Sequence, residues 1–151
     1  MDYAPIVLFA FNRPDRLAKT IESLLKNDEA KDCELFVFVD GARLEKGGEA
    51  DKVNEVRNLV KKIKGFKELH YSFYETNKGL GKSVIEGVSE VINKYGKAII
   101  LEDDLVLLPN FIAYINQGLN RYQDETLREW SYFHSYTYQS YATYPCQELH
   151  M

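Results

Sequence analysis

Hydrophobic positions along the chain alternate between short unbroken runs and stripes at helical spacing. Ile6-Val7-Leu8-Phe9-Ala10-Phe11 is a β-rich, almost purely apolar run, the pattern of a strand covered on both faces. After Asn12-Arg13, Pro14 suits the first turn of a helix, and Leu17, Ile21, Leu24 and Leu25 recur at helical spacing until Asn27-Asp28. Leu35-Phe36-Val37-Phe38-Val39 repeats the buried-strand pattern and ends at Asp40-Gly41. A polar loop through Gly47-Gly48 then leads into a helix carrying Val53, Val56, Leu59, Val60 and Ile63. Leu69 to Tyr74 predicts a third strand, Thr76 to Gly79 a turn, and Val84, Ile85, Val88, Val91 and Ile92 the apolar stripe of a third helix. Ala98-Ile99-Ile100-Leu101 predicts a fourth strand that runs into Glu102-Asp103-Asp104. Pro109-Asn110 opens a last helix with Phe111, Ile112, Ile115 and Leu119 inward.

Four strand-helix units predict an α/β fold, a mostly parallel sheet with helices on both faces, because each parallel return needs a right-handed crossover. Such sheets bind ligands at the carboxyl ends of their strands, near the point where strand order reverses. Parallel strands place Asn12-Arg13, Asp40-Gly41, Asn77-Lys78-Gly79 and Glu102-Asp103-Asp104 on one edge. From Trp130 to Tyr144 the pattern changes to seven aromatics interspersed with Ser, Thr and Gln, without Lys or Arg, which predicts an antiparallel strand or an extended segment.

Composition narrows the class. With 151 residues, 45% hydrophobic and 20 of them aromatic, the chain fits one soluble globular domain. A chain of this size buries roughly 68–70% of its unfolded surface and needs no cross-links. A net charge of −4, with 19 basic residues against 23 acidic ones and no basic block, argues against nucleic acid as a partner and leaves a phosphate-containing metabolite open. Cys33 and Cys146 lie far apart without zinc-ligand spacing and read as free thiols of a reducing compartment. Ile6 to Phe11 lacks the basic flank of a signal peptide, and no apolar stretch approaches the roughly 20 residues of a membrane span. A cytoplasmic location, with no transmembrane segment, is the resulting expectation.

The sharpest chemical signal is the strand that delivers Glu102-Asp103-Asp104 in succession. Repulsion among three carboxylates is relieved by solvent, by basic side chains or by a divalent cation. Mg²⁺ and Mn²⁺ prefer carboxylate oxygen and keep positions open for phosphate, so these acids fit a metal bridge to a diphosphate; they also fit an acidic turn that caps the next helix or is simply solvated. Arg13, Lys78 and Lys82 supply cations around an anionic ligand, although Arg13 also has Asp15 as a nearby partner, for which Arg16 competes. Asp40 either accepts hydrogen bonds from a nucleobase or ribose or forms an Asx turn. Gly81-Lys82-Ser83 matches the end of a phosphate-binding GxxxxGK[ST] loop, but Thr76 stands where the first glycine belongs. His70, His134 and His150 show no relay spacing, and no Ser/His/Asp triad can be placed.

The ordered series Ile6 to Pro14, Val37-Phe38-Val39-Asp40-Gly41, Asn77-x-Gly79 with Gly87, and Glu102-Asp103-Asp104 resembles the nucleotide-sugar half of a GT-A glycosyltransferase. It is most similar to family two enzymes and to the N-acetylglucosaminyltransferase I group, whose EDDL-type version of the DXD motif resembles Leu101 to Leu105 followed by Pro109-Asn110-Phe111. The resemblance spans Ala4 to Tyr122 and implies a nucleotide-sugar-binding domain over residues 1–122, with residues 123–151 beginning an incomplete acceptor region. It implies that Ala10, Phe11, Asn12 and Arg13 line the uridine and diphosphate of a UDP-sugar and that Asp40 holds the base or ribose. Asn77, Gly79 and Lys82 would border the nucleotide, and Glu102 and Asp103 would contact ribose or donor sugar. Asp104 would coordinate Mn²⁺ or Mg²⁺, and the acceptor, a glycan, lipid or protein, stays open. Asp124, Glu125, Glu129 and Glu148 match no base motif, so no catalytic base is assigned. Two functions follow: a metal-dependent glycosyltransferase, truncated or completed by a partner, or a nucleotide-sugar-binding module without turnover. An exposed aromatic tail would favour a homodimer.

Overall fold

The computed structural model describes residues 3–121, and the aromatic-rich segment, Cys146, His134 and His150 lie outside them. Four parallel strands, β1 (Ile6–Ala10), β2 (Glu34–Val39), β3 (Glu68–Phe73) and β4 (Ile99–Glu102), form one sheet in the order β3-β2-β1-β4. Four helices follow them in turn: α1 (Pro14–Leu24), α2 (Glu49–Val60), α3 (Leu80–Tyr95) and α4 (Phe111–Arg121). The predicted α/β architecture is present, with the strands shifted by a residue or so at their ends.

Alternation along the strands explains the layering. Ile6, Leu8, Leu35, Val37, Val39, Ile99 and Leu101 point to one face, where they pack with Leu17, Ile21 and Leu24 of α1, Val53, Val56 and Val60 of α2, and Ile112 of α4. Val7, Phe9, Phe36 and Phe38 point to the other, against Val88 and Val91 of α3. The chain steps outward from β1 to β2 to β3 and then returns past β1 to β4. A right-handed crossover in that reversed direction must use the opposite face, which is why, among the described residues, α3 is the one helix there. Gly87 is the point of closest approach: a Cβ at this position would lie 3.0 Å from the rings of Phe9 and Phe38.

One local reading needs correction. Ile85, expected on the inward stripe of α3, is 68% exposed; α3 crosses the sheet on the narrow line through Val84, Val88 and Val91, and Ile85 lies one step around the helix from it. Beyond α1, Asp28–Asp32 forms a short 3-10 helix before β2. Cys33, just beyond it, is a buried free thiol whose pKa burial pushes up to about 12, so it is kept protonated and unreactive. Among the described residues no helix is long and apolar enough to cross a membrane.

A buried polar network fixes the segment that follows β4. Ser23 Oγ accepts the Leu107 N–H at 3.0 Å and donates to the Thr20 carbonyl at 2.8 Å. Asn27 Oδ1 accepts the Ile112 N–H at 3.2 Å, capping α4 from the far end of α1. Asn116, fully buried, accepts the Ala4 N–H at 2.7 Å and donates to the Ile112 carbonyl at 2.9 Å. Backbone groups that the sheet and helices leave unpaired are satisfied in this way. Replacing Asn116→Ala strands the buried Ala4 N–H and is expected to lower stability by about 1–3 kcal/mol. Urea denaturation of the variant against the parent measures it; a change within a few tenths of a kcal/mol would count against the role given to this side chain.

Candidate active site at the carboxyl edge of the sheet

All the loops that leave the carboxyl ends of the strands lie at one edge, and the order reversal puts the switch point between β1 and β4. The β1 loop and the β4 loop are joined there by charge. Arg13 precedes Pro14 as the N-cap residue of α1, and the fixed φ of Pro14 starts that helix at once. The guanidinium reaches across the crevice, with Nη2 at 2.5 Å from Asp103 Oδ1 and Nη1 at 3.0 Å from Asp104 Oδ2. Arg16, one turn along α1, places Nη1 at 3.6 Å from the same Asp104 oxygen. Asp103 Oδ2 also accepts the Phe11 N–H at 3.3 Å. The partner of Arg13 is therefore the acidic motif some ninety positions away in the chain, and not the neighbouring Asp15.

The two aspartates sit in different surroundings. Asp103 is almost fully buried, and the loss of solvent raises its pKa, with Arg13 and the Phe11 N–H opposing that rise. Burial disfavours the charge on Arg13, but Asp103 and Asp104 more than compensate and hold its pKa above the ordinary value. Asp104 is more open than Asp103. Glu102 ends β4 opposite Phe9 and is partly exposed.

A second cluster closes the edge between β2 and β3. Asp40, buried at the end of β2, accepts N–H groups from Gly41 at 2.9 Å, Lys78 at 2.8 Å and Gly79 at 2.9 Å. Asn77 donates from Nδ2 to the Gly41 carbonyl at 2.9 Å. Both residues thus clamp the two loops together, and the Asx-type bond of Asp40 to Gly41 is one part of the clamp. Gly79 caps α3 at φ +79, ψ 152, a backbone region essentially reserved for glycine. Gly41 is required for a different reason: a Cβ there would lie 2.4 Å from the Thr76 carbonyl carbon. Lys78 is drawn to Glu86, 2.6 Å away, and over the Tyr74 ring, whereas Lys82 is exposed on the first turn of α3.

Arg43 and Glu49 were not singled out in the sequence. Glu49, buried in the first turn of α2, accepts from the Arg43 backbone at 2.8 Å, from the Arg43 guanidinium, and from Asn12 Nδ2 at 3.0 Å. Arg43 in turn lies over the Phe11 ring, 5.4 Å from its centre. The β1 loop is thereby tied to both neighbours, Phe11 and Arg13 to β4 and Asn12 to α2. The only sequence signal was an acid directly after Gly47-Gly48, at a helix N-terminus that favours negative charge.

Among the described residues, three potential metal ligands converge within 4.8 Å at Glu34, Glu68 and His70, at the opposite edge where β2 and β3 begin. Glu34 there accepts from the Tyr95 hydroxyl at 2.5 Å and sits 3.1 Å from His70 Nε2, and these bonds pull its pKa down. At the carboxyl edge, the oxygen donors of Asp104 suit a hard cation. Both of its arginine contacts use Oδ2, so Oδ1 carries neither of them.

Two predictions follow from these contacts. Gly41→Ala forces the Thr76 backbone away and is expected to destabilise the fold by about 1–3 kcal/mol, read as a lowered midpoint in urea; an unchanged midpoint would show the two loops are free to part. The second concerns acid. The bonds from Arg43 hold the Glu49 carboxyl down at about 2, against an ordinary 4.5. A carboxyl with a lowered folded-state pKa stabilises the fold above its ordinary pKa, and that contribution fades as pH falls through about 2. The stability gap between the parent and Glu49→Gln should therefore be widest at neutral pH, shrink between 4.5 and about 2, and vanish below. A gap independent of pH over that range would refute the ion pair as its source.

Comparison with known proteins agrees with the geometry. No curated protein matches the chain. A family model described as glycosyl transferase family 2 matches residues 6–126, the span from β1 through α4 that holds every element of this edge. With a parallel α/β sheet of this kind and a match over most of its length, the chain belongs to glycosyl transferase family 2.

Proposed function

We propose that the carboxyl edge binds a nucleoside diphosphate sugar, a UDP-sugar, together with Mn²⁺ or Mg²⁺, and delivers the sugar to an acceptor hydroxyl. The observation that carries this reading is the meeting of Arg13 and Arg16 with Asp103 and Asp104 at the β1/β4 switch point. Guanidinium groups grip phosphate oxygens, and an adjacent carboxylate holds a hard cation that binds the same phosphates. In this assignment Ala10, Phe11, Asn12 and Arg13 line the uridine and diphosphate, with Arg43 shaping the wall behind Phe11. Asp40 and Asn77 act by holding the loop at Gly79 against the base and ribose, and Lys82 borders the nucleotide from α3. Glu102, partly exposed, faces the ribose or donor sugar, and the buried Asp103 acts on them by holding Arg13 and the Phe11 backbone in place. The Glu102-Asp103-Asp104 sequence supports a narrower likeness to the N-acetylglucosaminyltransferase I group.

Asp104 would hold the metal ion, whose contribution is to stabilise the charge that develops on the departing diphosphate. In the transfer, the acceptor oxygen bonds to the anomeric carbon as the bond from that carbon to the diphosphate breaks. The diphosphate leaves with the electron pair, and the acceptor proton passes to a base. Arg13 and Arg16 serve the same step by neutralising phosphate oxygens without moving a proton.

Calorimetric titration with UDP and UDP-sugars, with and without Mn²⁺, tests the assignment. Binding that needs Mn²⁺ and weakens by roughly 10–100-fold or more in Asp104→Ala is expected; binding indifferent to Mn²⁺, or none, overturns the metal role. UDP release from a donor sugar, lost in the same variant, would establish turnover. Tight binding without release would instead favour a nucleotide-sugar-binding module.

A further inference from the structure

We propose that Arg13 is an exchangeable counterion that makes the two ligands of this site bind cooperatively. It neutralises Asp104 until a divalent cation does so, and its Nη1 then turns to the diphosphate. The inference rests on the nucleotide and metal reading above and specifies how the chain's own charges respond to the two ligands.

The ion pairs divide into a fixed part and a releasable part. Asp103, with a side chain only 2% exposed, is held by both the Phe11 N–H and Arg13 Nη2, and breaking that contact would leave a buried carboxylate without its counterion. Asp104 and the two arginines are more open, with side-chain exposures of 18% for Asp104, 39% for Arg13 and 58% for Arg16, so exchange there costs little desolvation. Nη1 can therefore leave Asp104 while Nη2 stays on Asp103. The place of the arginines is also unusual: both stand at the first turn of α1, where the helix dipole favours an anion over a cation. The aspartates satisfy them in the free protein, and a diphosphate would satisfy them better.

Charge then dictates coupling. Two arginines and two aspartates sum to zero. A divalent cation alone at Asp104 would face two guanidinium groups that lie 3.0 and 3.6 Å from Oδ2 of the same carboxylate. A diphosphate alone would face two carboxylates. When both enter, each takes one side of an existing ion pair, and neither meets an uncompensated like charge. By linkage each ligand raises the affinity of the other by the same factor, typically about 5–150-fold.

The test uses Mn²⁺ alone, UDP alone and the two together, with bound Mn²⁺ read by its electron paramagnetic resonance signal and UDP by calorimetry. In the parent protein, Mn²⁺ alone should bind weakly and UDP should tighten it by the factor with which Mn²⁺ tightens UDP. In Arg13→Gln, Mn²⁺ alone should bind more tightly than in the parent, UDP alone more weakly, and the coupling factor should fall towards one. Arg16→Gln, which touches only Asp104, should shift Mn²⁺ affinity in the same direction by less, and it carries the test if Arg13→Gln does not fold. Coupled binding in the parent with Mn²⁺ affinity unchanged or weakened in the variants overturns the exchange while leaving the nucleotide reading intact. Failure of the parent to bind UDP at any Mn²⁺ concentration overturns both.

Discussion

β1 is buried on both faces and hydrogen-bonded on both edges, to β2 and β4, and all three run in the same direction. That single placement constrains nearly everything else. A central strand with no exposed face must be apolar throughout, and its polar functional residues can only follow it, at Asn12 and Arg13. Parallel neighbours bring their own following residues to the same edge, so Asp40 and Asp103 arrive beside the β1 loop without any further device. The β1/β4 contact also sets the register Phe9 to Glu102, which brings Asp103 level with Ala10 at the end of β1 and Asp104 one step beyond it. Arg13 is then within reach.

Three buried acids at this edge are stabilised in three different ways, and the difference separates scaffold from candidate chemistry. Asp40 accepts three backbone N–H groups and fastens two loops. Glu49 is held by Arg43 and Asn12, with a pKa depressed to about 2, and anchors the β1 loop to α2. Asp103 is the one whose pKa rises, because desolvation exceeds what its guanidinium returns. Asp103 therefore keeps its charge by means of Arg13, while its neighbour Asp104 stays more open beside the same guanidinium. The polar network of Ser23, Asn27 and Asn116 does the complementary work from the other side, fixing the segment from Leu107 to Ile112 that carries the acidic motif into α4.

The four strands, four helices and their layering were legible because hydrophobic period is local: alternate or continuous burial in β1 and β2 and the stripes of α1 and α2 need only a few residues to declare themselves. The reading slipped where an apolar side chain met no neighbour, as at Ile85, since period cannot tell how wide a face a partner covers. Buried polar residues were missed for the same reason. Asn27 and Asn116 look like ordinary helix-end and surface residues until the backbone groups they satisfy are seen. Glu49 was one acid among many in a charged stretch.

The chain of residues specified, from pattern alone, a parallel sheet with Arg13, Asp40, Asn77 and Glu102-Asp103-Asp104 at one edge, and the family resemblance followed from their order. What it left open was which of them touch. Arg13 had Asp15 two positions away and Asp103 ninety positions away, and it pairs with the distant one, because strand register and the start of α1 at Pro14 bring the β4 loop to its guanidinium. Asp40 had either a ligand or a turn as its partner, and the close approach of the Thr76 backbone to Gly41 gave it the N–H groups of the third loop. Pairings of this kind depend on distances across the sheet, which are set by the packing of both layers at once and leave no trace in the local spacing of residues.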